Sequence, residues 1–465
     1  MTVYVMLNLG VFMKKIILMT MIGVLATACI TADGGIDFSG TVESTWGVAA
    51  PWTDSDTAGR FTLGTTSFTG ELEAFYGNSS AYAQAVFSYD ASGALNGEGG
   101  SGNIGNGFNL SLGELWIDYT ESFWGIRIGR QKAAWGKADG IDITNVICPS
   151  DMSSFSAMTG NDSKLAVDAL RVSLSGDQFT ADAWWIPFFT PASLPLDEGN
   201  TLRKFVVPSV VEFPAGPGVV IPLPVEIAGL ETPSRAIWNG EYGLKLSGYF
   251  SAFDVSLYGF YGWDDMPLLD YELTGTYPAY TGLVINGGYR HMGMVGVDAA
   301  VPIGATVLRA EAAFFPMRSL QKSAGTIISE KMTLTDVETS EKHNELSGLV
   351  GIDWMPSGWT ITAQYHCDAV FGNLDSLERE DAFTHGASLS ISKSLVNETL
   401  ELSLNGLVNF NDFDSLINPS ASYSISDQIK AEAGAYIFLP GPDNDGEYGK
   451  YKDLSTIYIK AKFSF

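Results

Sequence analysis

Catalysis in this chain of 465 residues would have to start from four histidines, His291, His343, His366 and His385. His366 has an acid placed to share its face on an extended strand, Asp368 two residues on. A pair of that kind without a positioned nucleophile makes a weak general base. The sequence has no H-E-x-x-H, Walker A, G-x-S-x-G or paired C-x-x-C pattern. The three cysteines, Cys29, Cys148 and Cys367, lack the spacing of a disulfide framework. Asp443, Asn444, Asp445 and Glu447 fall short of the full ligand spacing of an EF-hand. These residues predict no enzyme, no cofactor and no metal site, with His366 serving as a hydrogen-bonding residue.

A denser set of donors and acceptors lies between 127 and 151: Arg127, Arg130, Gln131, Lys137, Asp139, Asp142 and Asp151. Gly136 and Gly140 permit the chain to reverse and Pro149 fixes its return. The expectation is that 137–167 folds inward and narrows a channel, tied by Arg127 or Arg130 to Asp139, Asp142 or Asp151. Arg130 shares the parity of Ile126 and Ile128, so a bulge near Gly129 or a place at the rim is needed to turn it inward.

The elements that position these groups show most clearly in the last twelve residues. Ile457, Ile459, Ala461, Phe463 and Phe465 alternate with Thr456, Tyr458, Lys460, Lys462 and Ser464, which is a strand with one oily and one wet face. Similar segments recur at 35–49, 60–77, 80–92, 107–121, 124–135, 168–177, 179–189, 238–250, 252–265, 283–302, 305–317, 343–356, 359–372, 382–395, 398–411, 415–427 and 429–440. With 454–465 these make about 18 strands, or 16 if one hairpin is misread. Asn78-Ser79, Glu121-Ser122, Gly176-Asp177, Gly304, Pro356-Ser357-Gly358, Val396-Asn397 and Ser426-Asp427 are tight turns, and the links between them are longer. Short turns at one rim and long loops at the other predict an all-β, transmembrane antiparallel β-barrel with periplasmic turns and extracellular loops. Trp124, Trp263, Trp354 and Trp359 near strand ends fit aromatic girdles.

The inward parity collects Glu43, Glu71, Glu73, Glu114, Asp118, Asp182, Asp254, Asp298, Glu311, Glu345, Asp353, Asp368, Glu401 and Glu432. It also collects Arg127, Arg171, Lys245, Arg309, Lys430, Lys460 and Lys462. So many charges predict a wide, watered interior, because burying them unpaired is costly. Glu114, Asp118, Arg309, Glu311, Asp353, His366, Asp368, Thr399, Glu401 and Lys460 are the expected lumen lining. The acid excess points either to a cation-leaning pore or to cross-strand ion pairs with a solvated surplus.

The formal net charge of −27 argues against nucleic acid, whose phosphates need basic partners. Met13-Lys14-Lys15, an apolar run over 16–25 and Ala26-Thr27-Ala28 predict a signal peptide over 1–28 with its start at Met13. Cys29 then follows a peptidase cut or carries a lipid. Residues 29–465 are expected to form one barrel. The apolar, Pro-rich loop over 190–237 is expected to fold into the mouth, pack on a subunit or take up a hydrophobic solute. The partners implied are outer-membrane lipid, small solutes and, through the C-terminal strand ending in Phe465, the barrel-assembly machinery. The oligomeric state is left open.

Gly129-Arg130-Gln131, Trp135-Gly136-Lys137-Ala138-Asp139-Gly140 and Asn145-Val146-Ile147-Cys148-Pro149-Ser150-Asp151 resemble a family of uncharacterised porin-like outer-membrane proteins carrying a domain of unknown function. Trp185-Ile186-Pro187-Phe188-Phe189-Thr190-Pro191 and Leu194-Pro195 are similar to a Trp-Ile-Pro segment of the same family. The resemblance implies a large outer-membrane barrel, with lipid-like molecules among the solutes discussed for it. The function expected is a porin-like channel for small solutes, hydrophobic or cationic ones included. The alternative is a closed structural or adhesive barrel.

Overall fold

Thr41 to Ala49 pair one for one with Ser464 back to Thr456, and this ladder between the first and last strands closes the sheet on itself. The computed structural model describes residues 34–465 except 97–106, 156–162, 197–199, 201, 208, 217–218, 277–278, 335 and 445. The expected signal peptide over 1–28, its start at Met13, Cys29 and Asp445 lie outside the described residues.

The barrel strands are β1 Gly35–Ala49, β2 Phe61–Tyr76, β3 Ser79–Asp90, β4 Phe108–Thr120, β5 Trp124–Gln131, β6 Val167–Ser175 and β7 Phe179–Ile186. Two strands, β8 Val210–Gly216 and β9 Val219–Glu231, leave the wall, which resumes with β10 Glu241–Tyr249 and β11 Asp254–Trp263. A second excursion holds β12 Leu268–Thr276 and β13 Ala279–Gly288. The wall finishes with β14 His291–Ile303, β15 Thr306–Gln321, β16 Ser340–Trp354, β17 Trp359–Phe371, β18 Phe383–Leu395, β19 Leu400–Asn409, β20 Asp414–Ser424, β21 Ile429–Leu439 and β22 Thr456–Ser464. Eighteen strands form the closed sheet, each antiparallel to its neighbours, and β8, β9, β12 and β13 form a separate four-stranded sheet.

Closure removes the edges that would leave N–H and C=O groups unpaired in hydrocarbon. The faces follow the alternation: Tyr458 is 2% exposed while its neighbours Ile457 and Ile459 are 44% and 63% exposed on the outer wall. Val350, Leu402 and Phe463 share that outer exposure. Short turns join strands at one rim and the long connections gather at the other. Trp124, Trp354 and Trp359 sit at the turn rim, and Trp263 sits at the loop rim against His291.

Three details differ from the strand pattern in the sequence. Residues 283–288, expected to begin a wall strand, lie in β13, which pairs parallel with β9. That pairing turns the apolar 190–237 segment from a loop into half of the second sheet. β15 runs to Gln321 because Pro316 and Met317 form a bulge between Phe315 and Arg318. Met317 has φ +50 there, and the bulge moves Arg318 onto the inward face.

Candidate functional site: a strap bound across the barrel mouth

Between β5 and β6, the described residues 132–155 and 163–166 enter the loop end of the barrel, and the wall holds this strap chiefly by its main chain. Glu311 of β15 accepts hydrogen bonds at Oε2 from the backbone N–H groups of Lys137 (2.7 Å) and Ala138 (3.0 Å). Its Oε1 accepts from the N–H (2.8 Å) and hydroxyl (2.7 Å) of Thr144. Arg309, two residues back on the same face, donates to the Lys137 carbonyl (2.5 Å) and to Asp353 (2.5 Å). Gln364 of β17 accepts from the Asp139 N–H (2.9 Å) and donates to the Asp139 carbonyl (2.8 Å). Three wall side chains thus satisfy the exposed peptide groups of an irregular segment, which a buried loop requires.

Gly136 enters this cradle with φ +85, and a Cβ there would lie 2.5 Å from Glu311 Oε1. Its N–H donates to the Tyr258 hydroxyl (3.1 Å), which in turn donates to Asp298. Beside these polar contacts lies an apolar cluster. Trp135, Ile143, Ile147 and Cys148 of the strap pack with Trp184, Ile186, Phe260, Met294, Phe315 and Leu349 of the wall. The thiol of Cys148 accepts from the Ala133 N–H (3.1 Å), and burial pushes it up to about 11. Farther along, Phe155 packs on Tyr436 and Phe438 of β21, so the strap reaches the other side of the mouth. The wide, watered interior expected from the charges is interrupted at the loop end by this apolar cluster. In β7, β11, β14 and β15 the inward face is itself apolar near the loop rim.

The residues expected to tie the strap separate into several places. Arg127 lies near the turn rim, pairs with Asp118 (3.0 Å) and covers the Trp116 ring at 3.6 Å. Arg130 does not turn inward. Neither ladder of β5 shifts register at Gly129, and Arg130 keeps the outward parity, making a two-point pair with Asp168 (2.9 and 3.1 Å). Gln131 is fully buried and donates to the Ala169 carbonyl (3.0 Å). Lys137 and Asp139 act through their backbones, as above. Asp142 pairs with Lys164 (2.5 Å), and Asp151 accepts from the N–H and hydroxyl of Ser153. The expected tether from Arg127 or Arg130 to Asp139, Asp142 or Asp151 is replaced by Glu311, Arg309 and Gln364.

The expected lining residues occupy the inner wall with one exception. Glu114 accepts from Trp116 and the Lys132 N–H, Glu401 pairs with Lys430 (3.4 Å), and Lys460 lies 3.9 Å from Glu43. His366 and Asp368 share the inner face of β17, with Cys367 between them on the outer face. Thr399 is a turn residue, its hydroxyl donating to the Val396 carbonyl, because β19 begins only at Leu400. Parity could not find Arg318, which pairs with Asp264 (2.7 Å) and Glu345 (3.1 Å), since its inward turn depends on the bulge.

A closed antiparallel sheet with an apolar outer wall, charged inner wall and inward strap is an outer-membrane β-barrel of porin-like architecture. The chain belongs to the family described as Protein of unknown function (DUF1302), whose model matches residues 53–403. Among solved structures it is similar to a BenF-like porin from Pseudomonas fluorescens Pf-5, at 10% identity and a TM-score of 0.50, over 93% of this chain and 98% of that one. It is likewise similar to OccAB1 of Acinetobacter baumannii, at 9% identity and a TM-score of 0.50, over 92% of this chain and 96% of that one. No curated protein matches it.

Proposed function

We propose that the protein is a porin-like outer-membrane channel for small solutes in which the strap residues 132–155 set the aperture. The observation that carries this reading is the binding of the strap's main chain by Glu311, Arg309 and Gln364 across the mouth. A segment held at so many points has a fixed position, and a fixed obstruction beside a charged wall is how a barrel selects solutes. The porin likeness of the fold supports the same reading. On the inner wall, Asp118, Asp182, Asp353 and Glu401 stand close to bases, which favours paired ladders over a strong cation preference. Assembly would engage the barrel-assembly machinery through the C-terminal strand, whose Phe465 ring stacks near Phe38 and Phe68.

The test is single-channel conductance of the refolded protein in planar bilayers, with ion selectivity from reversal potentials. Discrete openings that enlarge on loosening the strap support the proposal, and a silent barrel in both forms overturns it. A silent barrel would favour the second reading, a surface barrel acting through its outer sheet, to which the exposure of Val210 and Val220 lends support.

A further inference from the structure

On the outer wall, at the turn rim, β6, β7, β10 and β11 enclose a groove of about 660 Å³. Ala181 stands between Leu174 of β6 and Leu246 of β10, so one short side chain leaves a hollow between two long ones. Gly248 extends the hollow, since a Cβ there would lie 2.9 Å from the Phe250 ring. Phe123, Phe179 and Phe250 wall its end at the rim, and no charged side chain lines it among the described residues. We propose that this groove holds an acyl chain of a zwitterionic phospholipid of the periplasmic leaflet, with the lipid's ammonium group facing Asp177. Such a lipid would sit outside the wall whether or not the lumen conducts.

The groove is continuous with the face that hydrocarbon covers, where Leu174, Leu257 and Phe179 are 53%, 54% and 60% exposed. A chain from the bilayer therefore reaches it without crossing water, and a flexible one restores the contacts that an unfilled hollow forfeits. The short turns place this end of the wall in the periplasmic leaflet. The head group follows from charge at the rim. The bordering turns, 121–123, 176–178 and 250–253, carry Glu121 and Asp177 and no Lys or Arg. Glu121 accepts from the Tyr119 hydroxyl (2.6 Å), whereas the Asp177 carboxylate, one residue past the groove, is exposed and unpaired among the described residues. The bases of the adjoining strands are placed elsewhere. Arg127 and Arg171 lie on the inner wall beside Asp118, Lys245 donates to the Ala134 carbonyl in the lumen, and Arg130 pairs with Asp168 at the far end of β5. An anionic head group would meet only carboxylates at this rim, while an ammonium meets its opposite charge.

Native mass spectrometry of the full chain, released from nanodiscs of palmitoyl-oleoyl phosphatidylethanolamine and phosphatidylglycerol in equal parts, tests this. Retained ethanolamine lipid is expected to exceed glycerol lipid by about threefold, as an exposed charge contact allows. Ala181→Trp fills the groove and should lower retention by about tenfold or more. Ala433→Trp, at an exposed outer-wall position on β21, should leave retention unchanged. Asp177→Lys, in an exposed turn, leaves the groove intact and should reverse the head-group preference. The proposal is overturned by equal retention of the two lipids, by retention of none or of a second copy of the chain in their place, or by equal losses in the two tryptophan variants. An unchanged preference in Asp177→Lys overturns it as well.

Discussion

Thr144 gives both its backbone N–H (2.8 Å) and its hydroxyl (2.7 Å) to one oxygen of Glu311, 167 residues away in sequence. The other oxygen takes the N–H groups of Lys137 and Ala138, so one carboxylate joins both limbs of the strap to the wall. Donors left buried without it cost about 1–3 kcal/mol each. Glu311→Ala is expected to free the strap, raising single-channel conductance and its noise, and exposing 132–155 to protease. Thr144→Val should move the same readouts in the same direction by less. Unchanged conductance and protection in Glu311→Ala would remove the strap from the account.

At the tip of the strap the wall reads the backbone of Asp139 and leaves the carboxylate exposed. With the backbone as the anchor, Asp139→Ala should leave conductance close to wild type. Gln364→Ala removes both hydrogen bonds to residue 139, at about 0.5–1.5 kcal/mol each, and should raise conductance. The reverse ranking of these two variants in bilayers would contradict the backbone anchor.

Arg130 and Asp168 are paired on the outer wall, where both are about a third exposed, 35% and 38%. Pairs of this exposure contribute about 0–1 kcal/mol. Arg130→Ala should leave reversal potentials unaltered and lower the melting point slightly, whereas Arg309→Ala should shift selectivity because Arg309 faces the lumen. A selectivity change in Arg130→Ala would place its side chain inside.

The link between β21 and β22 holds Glu447, whose carboxyl is raised above the ordinary glutamate range, chiefly by burial and then by Asp414 and Asp412. Lys450 opposes that rise. A carboxyl raised in the folded state binds more protons there than in the unfolded state. Stability is therefore greatest below the ordinary value and is lost as pH climbs from that value through the raised one. Amide hydrogen exchange over 441–455 should accordingly show slower opening, after correction for intrinsic exchange, as pH falls through this window. Glu447→Gln should abolish the dependence, and a variant that kept it would assign the titration elsewhere.

The alternation of oily and polar residues pointed to a closed antiparallel barrel of about 18 strands, with 16 left open, and to its two rims; the folded chain has 18. Hydrocarbon outside and water inside penalise each residue on the wrong face separately, so the pattern is written residue by residue. Glu311 and Arg309 were legible as inward residues for the same reason. What they hold was not, because peptide N–H and C=O groups are the same at every position and leave no mark in residue types. The long-range contacts also decided the parallel pairing of β9 with β13, the inward turn of Arg318 after the Pro316-Met317 bulge and the outward place of Arg130. A ladder's register and a single inserted residue are settled by the partner strand, and only the folded wall supplies that partner.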